Sequence, residues 1–236
     1  VDGVRAADAK LEEFWSEAVP PAITVRALNN QIAALRMIGD HRLALERISH
    51  AVQVCEEHGL VDSLAAVLLK KCYMALDSCD IEQARTALDH ASSLPFASRS
   101  DQNRRELNHA KSRLLLQSGD AMGSLLVYGD ELGDVRRDTS DRRLAIVASC
   151  LALALAQTGR LSEAGELVDI ALKAISGDHP GRTADYPTEL ASRTLVLLGR
   201  PEDARTLLRT YAERRRHLRD GGPVEYLSRL RYALHE

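Results

Sequence analysis

Aromatic residues are scarce in this chain. Phe, Trp and Tyr make up 4 % of its 236 residues, although apolar residues reach 45 %. A core must then be filled by Leu, Ala and Val rather than by rings. Ala, Leu, Arg and Glu dominate the composition, and these are strong helix formers. No long β-branched run alternates with polar residues, so strand signals are weak and an all-α fold is expected.

A charge excess is lacking too. The formal net charge is −3, whereas a general nucleic-acid binder is usually strongly basic. No apolar run approaches the roughly 18 residues that span a membrane. The richest, residues 144–156, is interrupted by Ser149 and is too short. The first fifteen residues, VDGVRAADAKLEEFW, have no apolar centre and do not read as a signal peptide. A cytoplasmic protein without membrane partners is expected. The chain begins at Val1 rather than Met, so it is expected to be part of a longer protein.

Signs of reaction chemistry are also missing. Cys55, Cys72, Cys79 and Cys150 form no C-x-x-C pair. Cys72 and Cys79 are two helical turns apart, which suits a thiol pair, but buried small apolar residues in a reducing compartment are the expectation for all four. The histidines (His41, His50, His58, His90, His109, His179, His217 and His235) form no H-x-x-x-H, and no Cys–His spacing suits zinc. Gly-rich phosphate loops and G-x-S-x-G are absent. Acidic pairs such as Glu12–Glu13 and Glu56–Glu57 read as solvated helix faces, since acid–base work needs a pocket that raises one pKa. No catalytic residue, cofactor or metal is expected within this chain.

What is present is a repeat. Gly39, Gly119, Gly159 and Gly199 are separated by multiples of 40 residues, and Cys79 holds the missing position. Five residues after each stands Ala44, Ala84, Ser124, Ala164 or Ala204. Four before stands Leu35, Ala75, Leu115, Leu155 or Leu195. Nine after stands Ile48, Leu88, Tyr128, Val168 or Leu208. Five registers without a slip mark a true period. In ALRMIGDHRLALERI, Gly39 is suited to the left-handed residue that ends a helix, Asp40 caps the next, and Ala44 allows close helix approach. Each unit is then an antiparallel helix pair, which must stack on neighbours to bury its apolar face. Cys79 is expected to need a different cap.

The segments GDHRLA, CDIEQA, GDAMGS, GRLSEA and GRPEDA resemble the turn of the tetratricopeptide repeat. That family has a small residue seven before the turn Gly, where this chain has Ile32, Cys72, Ser112, Ala152 and Ser192. It has another twelve after, where Ala51, Ala91, Glu131, Ala171 and Tyr211 stand. The period of 40 exceeds the family's usual length of about 34 and is similar to the tetratricopeptide-like arrays of bacterial signalling regulators. The resemblance covers roughly residues 22–220. It implies a single α-solenoid domain, a right-handed superhelix of about five stacked antiparallel helix pairs, with repeats near 22–59, 60–99, 100–139, 140–179 and 180–220.

The expected pairs are 22–38 with 41–57, 61–77 with 81–93, 100–118 with 121–135, 140–158 with 161–175, and 186–198 with 201–218. Segment 4–18 reads as a leading helix, ended by Pro20 and Pro21. Residues 223–235 read as an amphipathic trailing helix, with Val224, Leu227, Leu230 and Leu234 on one face. Residues 176–187 read as the longest surface loop.

In the family, function lies on the concave face lined by the first helix of each pair. The resemblance places Arg26, Asn29, Ala33, Arg36 and Met37 there from pair one, and Tyr73 and Asp77 from pair two. Pair three gives Glu106, His109, Arg113, Leu116 and Gln117; pair four Ser149, Leu153 and Gln157; pair five Tyr186, Glu189 and Arg193. Arg26, Asn29, Arg36 and Arg113 suit a peptide carboxylate or acidic side chain, since Arg grips such groups with two hydrogen bonds. The basic cluster ERRRHLRD, 213–220, reads better as a solvated helix end, where the dipole favours cations. No aromatics interleave with it, which argues against single-stranded nucleic acid.

The expected role is a non-catalytic regulatory module that binds a protein or peptide segment and acts on an attached output domain. The tail from Arg205 onward loosely resembles the link from such arrays to a GGDEF diguanylate cyclase domain. The helical arrays of MalT- and LuxR-like transcription regulators are the alternative, as is a stand-alone small-molecule binder. A homodimer stays open.

Overall fold

The computed structural model describes residues 19–38, 40–95, 101–128, 141–176 and 185–220. Among them are ten α-helices and no strand. They are α1 (Pro21–Ile38), α2 (His41–Glu57), α3 (Val61–Asp77), α4 (Ile81–Ser93), α5 (Asp101–Gln117), α6 (Ala121–Val127), α7 (Asp141–Gln157), α8 (Leu161–Ser176), α9 (Asp185–Leu197) and α10 (Pro201–Asp220). Apart from the C-terminal ends of α6 and α10, these bounds lie within one residue of those expected. The expected helices at 4–18 and 223–235, the turn residue Gly39, the column member Glu131 and most of the 176–187 loop lie outside the described residues. No described helix is long and apolar enough to cross a membrane.

The helices fall into two compact units, divided within α5 between Ala110 and Lys111. In the first, α1 packs on α2, α2 on α3 and α3 on α4, and α1 also meets α3. In the second, α6 packs on α7, α7 on α8, α8 on α9 and α9 on α10, and α7 also meets α9. Helix α7 is thus covered on three sides, which explains its apolar run. Ala148, Cys150, Leu151, Ala152, Leu153, Ala154 and Leu155 are all buried, so the run is a core helix.

One hydrogen bond recurs at every turn. The N–H one residue after the turn position donates to the carbonyl four before it: Asp40 to Leu35 (3.0 Å), Asp80 to Ala75 (2.8 Å), Asp120 to Leu115 (2.8 Å), Arg160 to Leu155 (2.9 Å) and Arg200 to Leu195 (2.8 Å). This bond closes a helix end when the turn residue is left-handed, as Gly119, Gly159 and Gly199 are, with φ of 85°, 82° and 72°. Cys79 was expected to need a different cap. It instead adopts the same conformation, with φ of 59°, against the steric preference of its Cβ. The flanking helices α3 and α4 pack on each other, and the turn that joins them holds that strain. Cys79→Gly is expected to stabilise the protein by about 1 kcal/mol, read as a rise in the urea midpoint. An unchanged midpoint would mean the turn carries no strain.

The helix that follows each turn is started in two ways. Asp40, Asp80 and Asp120 accept from the backbone N–H of Leu43, Gln83 and Gly123 at 3.2, 3.0 and 2.7 Å. In the last two repeats Arg replaces Asp. Arg160 makes a two-pronged contact with Glu163 (2.7 and 2.6 Å), and Arg200 joins Asp203 (2.7 Å) and Asp169 on α8 (2.9 Å).

The small column lies where paired helices cross. Ala44, Ala84, Ser124, Ala164 and Ala204 are all buried. Ser124 shares a 2.6 Å hydrogen bond with Ser112, the small residue seven before the same turn. The next repeat has Ala152 and Ala164 at these two positions, which need no such bond. Ser124→Ala alone is expected to cost about 1–2 kcal/mol by stranding the Ser112 hydroxyl, and adding Ser112→Ala to recover most of it. A double-mutant cycle in urea with no coupling would contradict this. The ninth-residue column departs once: Ile48, Leu88, Tyr128 and Val168 are buried, but Leu208 is 47 % exposed, because α10 packs chiefly on α9.

Candidate functional site

The first helices of the first unit are joined by polar contacts that involve residues assigned to the groove. Asn29 on α1 meets Lys70 on α3, whose Nζ donates to Asn29 Oδ1 at 2.6 Å and to the Asn29 carbonyl at 3.2 Å. Two helical turns along, Arg36 Nε donates to Asp77 Oδ2 at 2.7 Å. Both links join residues 41 apart in sequence, so α1 and α3 run side by side in a fixed register. Tyr73, one turn beyond Lys70, donates to the Glu106 carbonyl on α5 at 3.4 Å, and its ring centroid lies 5.7 Å from that of His109. Arg26 and Glu106 are exposed, and Asn29, Tyr73 and His109 are half-buried.

Lys70 was not among the residues expected from sequence, and burial pushes its amine down to about 8. Its helix position falls between the groove columns that the resemblance supplies. A cation buried on a neutral acceptor leaves no mark in a sequence.

The second unit holds a different arrangement. Arg113 on α5 is only 4 % exposed. Its guanidinium lies over the Tyr186 ring of α9, 4.1 Å from the centroid. The Cys150 thiol of α7 lies against Tyr186, Tyr128 and Arg113. Burial pushes it up to about 12, outweighing the opposing pull of the two phenols and the guanidinium, so it is unreactive at neutral pH. Tyr186 is also raised well above its ordinary value, chiefly by burial. Gln117 is half-buried and Gln157 exposed. Glu189 and Arg193 form an exposed pair at 3.6 Å on one face of α9. A desolvated cation over an aromatic face is worth about 2 kcal/mol. Arg113→Ala is therefore expected to lower stability by about 2 kcal/mol, while Arg26→Ala, at an exposed position, changes it little. Equal urea midpoints for the two variants would contradict this.

No protein-family model matches this chain, and no curated protein or solved structure matches it.

The other expected features divide by position. Cys55, Cys72 and Cys150 are buried, whereas Cys79 is exposed at its turn, which corrects the expectation that all four are buried. All four are thiols. Among the described residues no group of three His, Cys, Asp or Glu side chains stands where it would hold a metal ion. The side chains of the basic cluster from Arg214 onward lie outside the described residues.

Proposed function

We propose that the chain is a set of tetratricopeptide-like helix pairs whose first-helix face binds an extended protein or peptide segment. In this reading it is the non-catalytic sensing or interaction part of a larger bacterial signal-transduction protein. The observation that carries the reading is the pair of links Asn29–Lys70 and Arg36–Asp77, which hold α1 and α3 in register. A fixed row of polar side chains on neighbouring helices presents recognition groups at constant spacing, which suits an extended chain. The face of the first unit carries Arg26, Arg36 and Lys70 against Asp77 and Glu106, so its remaining excess of one positive charge favours an acidic segment.

The test is selection of a displayed random-peptide library on the protein. Enriched sequences are expected to be rich in Asp and Glu. Their binding is expected to fall about tenfold or more in Arg26→Ala/Arg36→Ala, with helix content unchanged by circular dichroism. No enrichment, or enriched peptides that bind the double variant equally well, would overturn the reading. Arg113 is left out of this variant because its buried position makes its removal a stability experiment.

A further inference from the structure

We propose that Lys70 and Asn29 form a carboxylate-binding point on the first-helix face, with the Lys70 ammonium taking the charge of an acidic group on the bound segment. This rests on the reading above and names the chemistry of its ligand.

The argument begins with hydrogen-bond capacity. An ammonium has three donors. Two are used by the side-chain and main-chain oxygens of Asn29, and among the described residues no acidic side chain pairs with the third. With its amide oxygen turned toward Lys70, Asn29 has its N–H₂ group to offer a ligand. The two residues together present donors and a positive charge.

Among the described residues no acidic side chain offsets that charge. The next acid along this face of α3, Asp77, is held by Arg36. Arg26, one turn before Asn29 on α1, adds a second positive charge at an exposed position. The charged and titratable groups on the helices packed against α3 include Arg47 and His50 on α2 and Arg85 and Asp89 on α4; Glu106 and His109 on α5 lie beyond Tyr73. None of these shifts the Lys70 amine, which burial alone moves to about 8. Neutral oxygens do not repay the removal of an ammonium from water, and a buried charge is ordinarily paired. A methionine would fill the same space without that cost. A partly buried cation on a neutral acceptor, with an exposed Arg one turn before that acceptor, suits an anionic ligand. Lys70 retains part of its surface, so a ligand can reach it.

The test uses the whole chain with isotope-labelled lysine and, as probe, acetylated tetraglutamate with a free or an amidated C-terminus. At neutral pH the Lys70 side-chain signal is expected to shift saturably, and its titration midpoint to move upward from about 8. Binding should then weaken as the pH rises past the free protein's midpoint. A response to the free-acid peptide alone assigns the point to a C-terminal carboxylate; equal responses assign it to a side chain. Labelled-peptide anisotropy should show about tenfold weaker binding to Lys70→Gln and largely retained binding to Lys70→Arg. A midpoint that stays near 8 at saturating or millimolar peptide, or a Lys70→Gln variant that binds like the parent, would overturn the proposal. If library-selected acidic peptides bind and depend on Arg26 and Arg36 while Lys70 stays silent, this inference falls and the proposed function stands.

Discussion

Lys70→Met is expected to raise stability at neutral pH, and the advantage to disappear as the pH climbs. The folded-state amine lies at about 8, below its ordinary 10.5. Below the folded value the ammonium is charged in both states, and the folded chain bears the full cost of burying it. Between the two values the folded state gives up its proton first. The unfolded state then binds more protons, and stability rises with pH. Above 10.5 the amine is neutral in both states and the cost has gone. The gap between the variant and the parent should therefore close by about 3 kcal/mol between about pH 7 and pH 11. Loss of the Asn29 contact lowers the variant by a pH-independent amount, so the slope is the informative quantity. Urea unfolding of both proteins at several pH values measures it. A gap that stays flat would show that the amine keeps its ordinary value and its charge is well solvated.

Ala164→Leu is expected to destabilise the protein by about 3 kcal/mol, near the top of the usual range for overpacking. Ala164 has no exposed surface. It sits on α8, five residues after the turn, where α7 and α8 pack together. Three added carbon atoms have nowhere to go unless the helices separate, and separation opens gaps among Leu151, Leu155, Leu167 and Val168, which fill this core. Ser162→Leu, on the exposed side of the same helix, adds comparable bulk yet should change stability by less than about 0.5 kcal/mol. Equal urea midpoints for the two variants would mean that α7 and α8 do not pack closely at Ala164.

The all-α class and the helix–turn boundaries were legible in the sequence because their signals are local. A left-handed residue, a cap at the next position and a small residue four further on each act within one helical turn, and each recurs with the 40-residue period. The hydrogen bond from the residue after each turn to the carbonyl four before it is the physical form of that repeat. Cys79 shows where local reasoning fails: side-chain preference argued for a different turn, and tertiary packing overrode it. Leu208 shows the same limit, since burial in its column depends on a neighbour packed against the far side of α10.

The candidate site was legible only in part. Arg36–Asp77 and Tyr73–His109 join residues named from the groove columns, because neighbouring first helices repeat the same spacing. Arg113 came from the same columns, yet Tyr186 from a later repeat lies against it, a long-range contact that spacing does not encode. Lys70 was missed because its significance lies in a half-buried charge set on the neutral oxygens of Asn29, a pairing that exists only once α1 and α3 are packed.

The direct measurement is hydroxyl-radical footprinting of the protein with and without a library-selected acidic peptide. Binding along the first-helix face predicts that Tyr73 and His109 lose reactivity, while the exposed Leu45 on α2 and His90 on α4 keep theirs. Protection of Leu45 and His90, with Tyr73 and His109 unchanged, would place the peptide on the second helices and contradict the proposed function.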